Sequence, residues 1–202
     1  MLIHTPSSGS GLAFFIAFYM LAKAISKLIF KIAGWKLNGN LAPDQRRCVM
    51  VAAPHTSNWD FIFARAAFYM MEAPIRFTIK KEFMRFPFGG LLKAMGALPV
   101  DRSKNTRMVD AMIKIIKETP GDMCVLVTPE GTRKYQPRWR LGFYHVAIGA
   151  GVPIVLGYVD YAKKEAGIGP SIYPTGDVEA DLEKIKAFYR TKQGKFPENG
   201  VR

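Results

Sequence analysis

Residues 46–71 read R-R-C-V-M-V-A-A-P-H-T-S-N-W-D-F-I-F-A-R-A-A-F-Y-M-M, and the change of pattern inside this stretch decides the fold. The run over 46–53, apolar from Cys48 on, is that of a buried strand. Pro54 ends it, and a helix is expected over 57–71, with Ser57 as N-cap and Asp60 three residues on in capping-box spacing. Strand, turn and helix therefore follow one another within 26 residues.

Outward from there the alternation continues. Residues 75–80 are extended, 83–93 are broken by Pro87 and Gly89-Gly90, and 97–100 form a short strand. Val109, Met112, Ile113 and Ile116 recur at i, i+3, i+4 and i+7, the stripe of an amphipathic helix. A buried strand over 123–128, a helix over 141–149, a strand over 153–161 and a helix over 178–191 complete the pattern. The last helix keeps Leu182, Ile185, Phe188 and Tyr189 on one side. Strands interleaved with helices predict an α/β fold: a single domain with a central, mostly buried mixed sheet flanked by helices. The expected division is an N-terminal helix and linker over 1–40 (Gly34, Gly39 and Asn40, with Pro43 just beyond) and one domain over 41–202.

Apolar residues are 49% and charged residues 22%, which excludes a disordered chain. Against 16 Asp and Glu stand 29 Lys and Arg, a net charge of +13 that calls for a polyanionic partner. The basic residues are scattered through apolar and aromatic segments, without a dense tract or a nucleic-acid module. The expectation is a membrane surface or phosphorylated substrates, not nucleic acid. Cys48 and Cys124 sit in apolar runs and read as buried thiols. No C-x-x-C or H-x-x-x-H accompanies them, so no metal is expected. The chain reads as cytosol-facing.

Residues 11–33 are the most apolar part of the chain. The uncharged stretch from Leu12 to Ala22 is too short to span a bilayer. Lys23, Lys27 and Lys31 then recur every four residues, with Ile25, Leu28, Ile29 and Ile32 spread over the other side. An apolar body with a lysine stripe predicts an amphipathic membrane helix lying in the interface. A core-packing helix, a tilted spanning helix and a signal peptide are the alternatives. Phe14, Phe15, Phe18 and Tyr19 crowd too much of the circumference for a one-faced packing helix, and the segment before the apolar run lacks the Lys or Arg of a signal peptide.

Four clusters carry chemistry. The first is Pro54-His55-Thr56-Ser57-Asn58-Trp59-Asp60. On a continuous helix His55 and Asp60 would point about 140° apart. If His55 lies in the turn and Asp60 in the first helical turn, they can form a general base and its orienting carboxylate. A helix cap beside an ordinary loop histidine fits the same residues. The second cluster ends a short strand at Asp101-Arg102. The third, Thr128-Pro129-Glu130-Gly131-Thr132-Arg133, follows a buried strand. Both deliver an arginine where α/β folds hold ligands, and arginine grips phosphate or carboxylate. The fourth is Gly151-Val152-Pro153-Ile154-Val155, an apolar strand entry.

In this order the four clusters resemble the glycerolipid acyltransferase family over about 50–157, including Ile79-Lys80-Lys81-Glu82-Phe83 and Pro87-Phe88-Gly89-Gly90 between the first two. The family's H-x-x-x-x-D block maps onto His55 and Asp60, its arginine block onto Arg102 and its E-G-T-R block onto Glu130, Gly131, Thr132 and Arg133. Its V-P-I block maps onto Val152, Pro153 and Ile154.

The resemblance implies a membrane-associated acyltransferase that uses an acyl-CoA or acyl-carrier-protein thioester as co-substrate, with no cofactor. His55 would take the proton from the hydroxyl of a lysolipid acceptor, which attacks the thioester directly without an acyl-enzyme. Asp60 would hold the imidazole tautomer. Arg102 and Arg133 would bind the acceptor's anionic headgroup, Glu130 would orient an arginine or the acceptor, and Lys80, Gly131 and Thr132 complete the substrate-binding set. The implied location is peripheral or monotopic on the cytoplasmic face of a bacterial inner membrane. Thr128 in place of the usual aromatic, the block P-H-T-S-N-W-D and the continuation Leu156-Gly157-Tyr158 depart from the common pattern. They leave the acceptor open between 1-acylglycerol-3-phosphate and a lyso-aminolipid. A hydrolase using Ser57 lacks a G-x-S-x-G elbow, and a non-catalytic basic lipid-binding protein would not need His55 and Asp60.

Overall fold

The computed structural model describes residues 9–84, 89–100 and 105–202. A long helix α1 (Gly9–Ala33) precedes a short strand β1 (Lys36–Asn38), and β2 (Arg47–Ala52) leads through a turn into α2 (Trp59–Met70). Then come β3 (Ile75–Lys80), α3 (Gly89–Ala94), β4 (Ala97–Val100), α4 (Asn105–Glu118) and β5 (Met123–Val127). The chain closes with α5 (Gly142–Ala150), β6 (Ile154–Asp160), β7 (Glu165–Ile172) and α6 (Val178–Arg190). The strands form one sheet in the order β1-β7-β6-β2-β5-β3-β4. Neighbours are parallel except β6 and β7, which pair antiparallel, so the sheet is mixed.

The residues of β2 alternate between two cores, which is why its sequence is apolar from Cys48 onward. Val49 and Val51 face a cluster with Met112, Ile116, Phe143, Tyr144, Ile185 and Tyr189, from α4, α5 and α6. Cys48 and Met50 face the other way, onto Ala66, Ala67 and Phe68 of α2 and Phe30 of α1. Cys48 and Cys124 are buried free thiols opposite each other on β2 and β5.

Two segments differ from the sequence expectation. The stretch read as a linker holds β1, paired with β7. β7 itself reads E-A-G-I-G-P-S-I, with the glycines and proline of a loop. Those glycines serve close packing: a Cβ on Gly167 would lie 2.2 Å from the Asn38 carbonyl oxygen, and one on Gly169 would lie 2.3 Å from the Phe188 ring. Pro170 falls where the β6–β7 register slips, between the pairs Ile168–Gly157 and Ser171–Val155, so its missing N–H breaks no regular ladder.

α1 both packs and exposes apolar surface. Phe30 and Ser26 are buried, Tyr19 meets the Tyr69 ring edge-on at 5.6 Å, and Lys23 pairs with Glu72 at 2.5 Å. The helix therefore packs on α2, the role that its crowded aromatics argued against. On another face Leu21, Ile25, Leu28 and Ile32, spaced i, i+4, i+7 and i+11, are exposed. Among the described residues no helix is long and apolar enough to cross a membrane.

Candidate active site

Sheet register assembles the site. β2 and β5 are parallel neighbours with Val51 opposite Val127. The turn after β2 and the loop after β5 therefore leave the same edge side by side, although 75 residues separate His55 from Glu130. β3 and β4 end at that edge with Lys80 opposite Val100.

Within the turn, Asp60 organises everything around it. It is 6% exposed. Its Oδ2 accepts the amides of Thr56 and Ser57, each at 2.8 Å, and lies 3.2 Å from His55 Nδ1. Its Oδ1 accepts the hydroxyl of Tyr161 at 2.8 Å. Burial alone would push the carboxyl up. The hydrogen bonds from His55, the Ser57 amide, Tyr161 and the Thr56 amide outweigh it and hold Asp60 below the usual carboxylate range. The expected capping box forms only in part. Ser57 Oγ accepts from the Trp59 amide, Asp60 bonds back to the Ser57 amide, and the helix begins at Trp59 because these bonds keep 56–58 in a turn.

With Asp60 on Nδ1, the proton belongs on that nitrogen, and Nε2 is left with a lone pair. The His55 side chain is a quarter exposed and lines a cavity of about 770 Å³. Asp60, Arg65, Arg133 and Arg140 share its polar wall, and Phe68, Met71, Ile75, Phe77 and Phe143 its apolar wall. The His55 imidazole, three guanidinium groups and an apolar chamber thus open into one space. Ser57 is buried and does not line the cavity, which removes it as a nucleophile.

Glu130 is buried against the His55 turn. Its Oε2 accepts the backbone amide of His55 at 2.8 Å, so it braces the turn after β2. Burial pushes its carboxyl up to about 7, opposed by the His55 amide. A folded-state pKa raised above the ordinary 4.5 means that Glu130 contributes stability below pH 4.5 and loses it as pH rises through about 7. Glu130→Gln keeps an acceptor for the His55 amide and removes the ionisation. Its unfolding free energy relative to wild type should rise between pH 5 and 8 by up to about 3 kcal/mol, measured by denaturant titration at each pH. A difference independent of pH would contradict this placement.

Gly131 has φ of 67°, and a Cβ there would lie 3.0 Å from the Arg140 guanidinium, so glycine lets Arg140 fold over the loop. Thr132 Oγ1 accepts the Lys134 amide at 3.4 Å. Arg133 is exposed at the cavity wall. Lys80 ends β3 at the site's edge, its side chain lying outside the described residues, as does the whole of Arg102. Arg65, Arg140 and Tyr161 were not anticipated. Arg65 bonds the Tyr69 hydroxyl at 2.8 Å and the Met95 carbonyl at 2.9 Å. No motif or spacing signals these three.

The chain is similar to known proteins in sequence and in fold. The family model described as Acyltransferase matches residues 36–156. A 1-acyl-sn-glycerol-3-phosphate acyltransferase from Haemophilus influenzae is 26% identical over 134 residues, which are 63% of this chain and 55% of that protein. The chain thus spans about half the length of that relative. The crystal structure of the 1-acyl-sn-glycerophosphate acyltransferase PlsC from Thermotoga maritima superposes with a TM-score of 0.57 at 15% identity, covering 86% of this chain and 77% of that one. That likeness is one of fold. The matched model runs from β1 into the start of β6 and includes the turn of His55 and Asp60 and the loop of Glu130 to Arg133, and the chain belongs to the Acyltransferase family.

Proposed function

We propose that the protein transfers a fatty acyl chain from an acyl-CoA or acyl-carrier-protein thioester to the hydroxyl of 1-acylglycerol-3-phosphate or a related lysolipid. The observation that carries this reading is the contact of Asp60 Oδ2 with His55 Nδ1, which leaves Nε2 free at a cavity with cationic and apolar walls. Nε2 takes the proton of the acceptor hydroxyl as its oxygen attacks the thioester carbonyl. Asp60 stabilises the imidazolium that forms. The tetrahedral intermediate collapses, the C–S bond breaks, and the imidazolium returns the proton to the departing thiolate. Arg133, with Lys80 and with Arg102 as the family resemblance implies, binds the acceptor's phosphate, Gly131 and Thr132 shape that loop, and the apolar wall holds acyl chain. The test is an acceptor panel with purified protein: phosphate-bearing lysolipids should be acylated faster than zwitterionic ones. Equal rates would remove the phosphate-binding role.

We also propose that α1 seats the enzyme on the membrane, on the cytoplasmic face. The exposed row Leu21, Ile25, Leu28 and Ile32 has exposed Lys27 and Lys31 beside it, and Trp59, Phe61 and Ile62 are exposed at the start of α2. Together with the +13 charge, this suits an anionic bilayer. Ile25→Asp/Leu28→Asp should reduce co-sedimentation with vesicles containing phosphatidylglycerol at least tenfold, since each buried apolar side chain contributes about 1.5–3 kcal/mol. Unchanged binding would count against this seat.

A further inference from the structure

The two oxygens of Asp60 are unequally served. Oδ2 carries three contacts, from His55 Nδ1 and the amides of Thr56 and Ser57. Oδ1 has one, the hydroxyl of Tyr161 at 2.8 Å, across 101 residues of chain. A carboxylate held at one oxygen can still pivot about it, and donors prefer to lie near the carboxylate plane. A second anchor on the other oxygen removes that freedom.

Tyr161 is itself held firmly. It follows Asp160, the last residue of β6, and its amide donates to the Gln193 carbonyl at 2.8 Å. Its ring stands edge-on to Trp35 at 5.0 Å and to Phe63 at 6.0 Å, and those two rings stack at 4.0 Å. The segment after α6 closes over the same turn: the Phe196 amide meets Thr56 Oγ1 at 3.3 Å, and a Cβ on Gly194 would lie 2.7 Å from Thr56. Tyr161 lies beyond the region matched by the family model and does not line the cavity.

We propose that Tyr161 is a positioning residue for acyl transfer: its hydroxyl pins Oδ1 of Asp60, which keeps Oδ2 in line with His55 Nδ1. The proposal rests on the His55–Asp60 reading above. Burial and the neighbouring Asp60 push the Tyr161 phenol well above its ordinary range, so it stays protonated and donates throughout the working pH range. Tyr161 does not line the cavity, so its effect belongs on turnover and not on binding.

The test is a double-mutant cycle on the full chain. Tyr161→Phe keeps the ring stack and should lower kcat roughly tenfold, the worth of one charge-assisted hydrogen bond, with KM for thioester and acceptor unchanged. In an Asp60→Asn background the same substitution should cost less than about twofold, because the charged carboxylate whose alignment with His55 the hydroxyl serves is gone. Phe63→Leu loosens the stack but keeps the hydroxyl, and its kcat should stay near wild type. Wild-type kcat in Tyr161→Phe, an effect on KM alone, an undiminished tenfold loss in the Asp60→Asn background, or an equal loss in Phe63→Leu would each overturn the role of the hydroxyl. If Asp60→Asn alone turns over at the wild-type rate, the dyad reading falls, and this proposal with it.

Discussion

His55→Ala is expected to lower kcat by about 10³-fold, within the range set by general-base catalysis, while leaving the melting temperature and vesicle binding near wild type. The imidazole contributes one contact to Asp60, which keeps the Thr56 and Ser57 amides and the Tyr161 hydroxyl without it. Its backbone amide, the anchor for Glu130, survives the substitution. The turn therefore has no reason to collapse, and the loss should appear in kcat. Steady-state kinetics with saturating thioester and lysolipid, beside a thermal melt, measures both. Retained turnover would remove His55 as the base.

Asp60 should show two separable effects. Asp60→Asn can turn its amide oxygen to the Thr56 and Ser57 amides and its NH2 to Tyr161, whose hydroxyl oxygen can accept, so the fold should survive. It loses the negative charge that would stabilise an imidazolium at His55, and kcat should fall on the order of 10²-fold, the low end of the range for general acid–base catalysis. Asp60→Ala leaves two buried N–H groups without an acceptor, at about 1–3 kcal/mol each, so it should also lower the unfolding free energy by about 2–6 kcal/mol. Parallel kinetics and denaturant titrations separate the two. An Asn variant that unfolds as readily as the Ala variant would show that the charge, not the acceptor, holds the turn.

What could be read from the sequence divides along the range of the interactions. The turn from β2 to α2 was legible because a buried run, a proline and the spacing from His55 to Asp60 lie within a few residues, and the mixed α/β sheet followed from alternating patterns. The loop from Glu130 to Arg133 was legible as an arginine-bearing strand end. Its bracing of the His55 amide was not, because it depends on β2 and β5 being neighbours in a given register. β1 and β7 were hidden by glycines that sequence reads as turns and that the structure uses for close packing. The lysine stripe on α1 was visible, but the loss of Lys23 to Glu72 and the third, buried face of the helix depend on where α2 lies. Tyr161 carries no motif, and only the completed β6 brings it to Asp60.

The central claim is direct transfer of an acyl group from thioester to lysolipid with His55 as base. The most direct measurement is intact-protein mass spectrometry and product analysis of one reaction: purified protein, an isotopically labelled acyl thioester, and 1-acylglycerol-3-phosphate added or withheld. The account predicts labelled diacyl product and free thiol only when the acceptor is present, with no labelled protein at any time. Labelled protein in the absence of acceptor, or thiol released at the same rate without it, would contradict direct transfer.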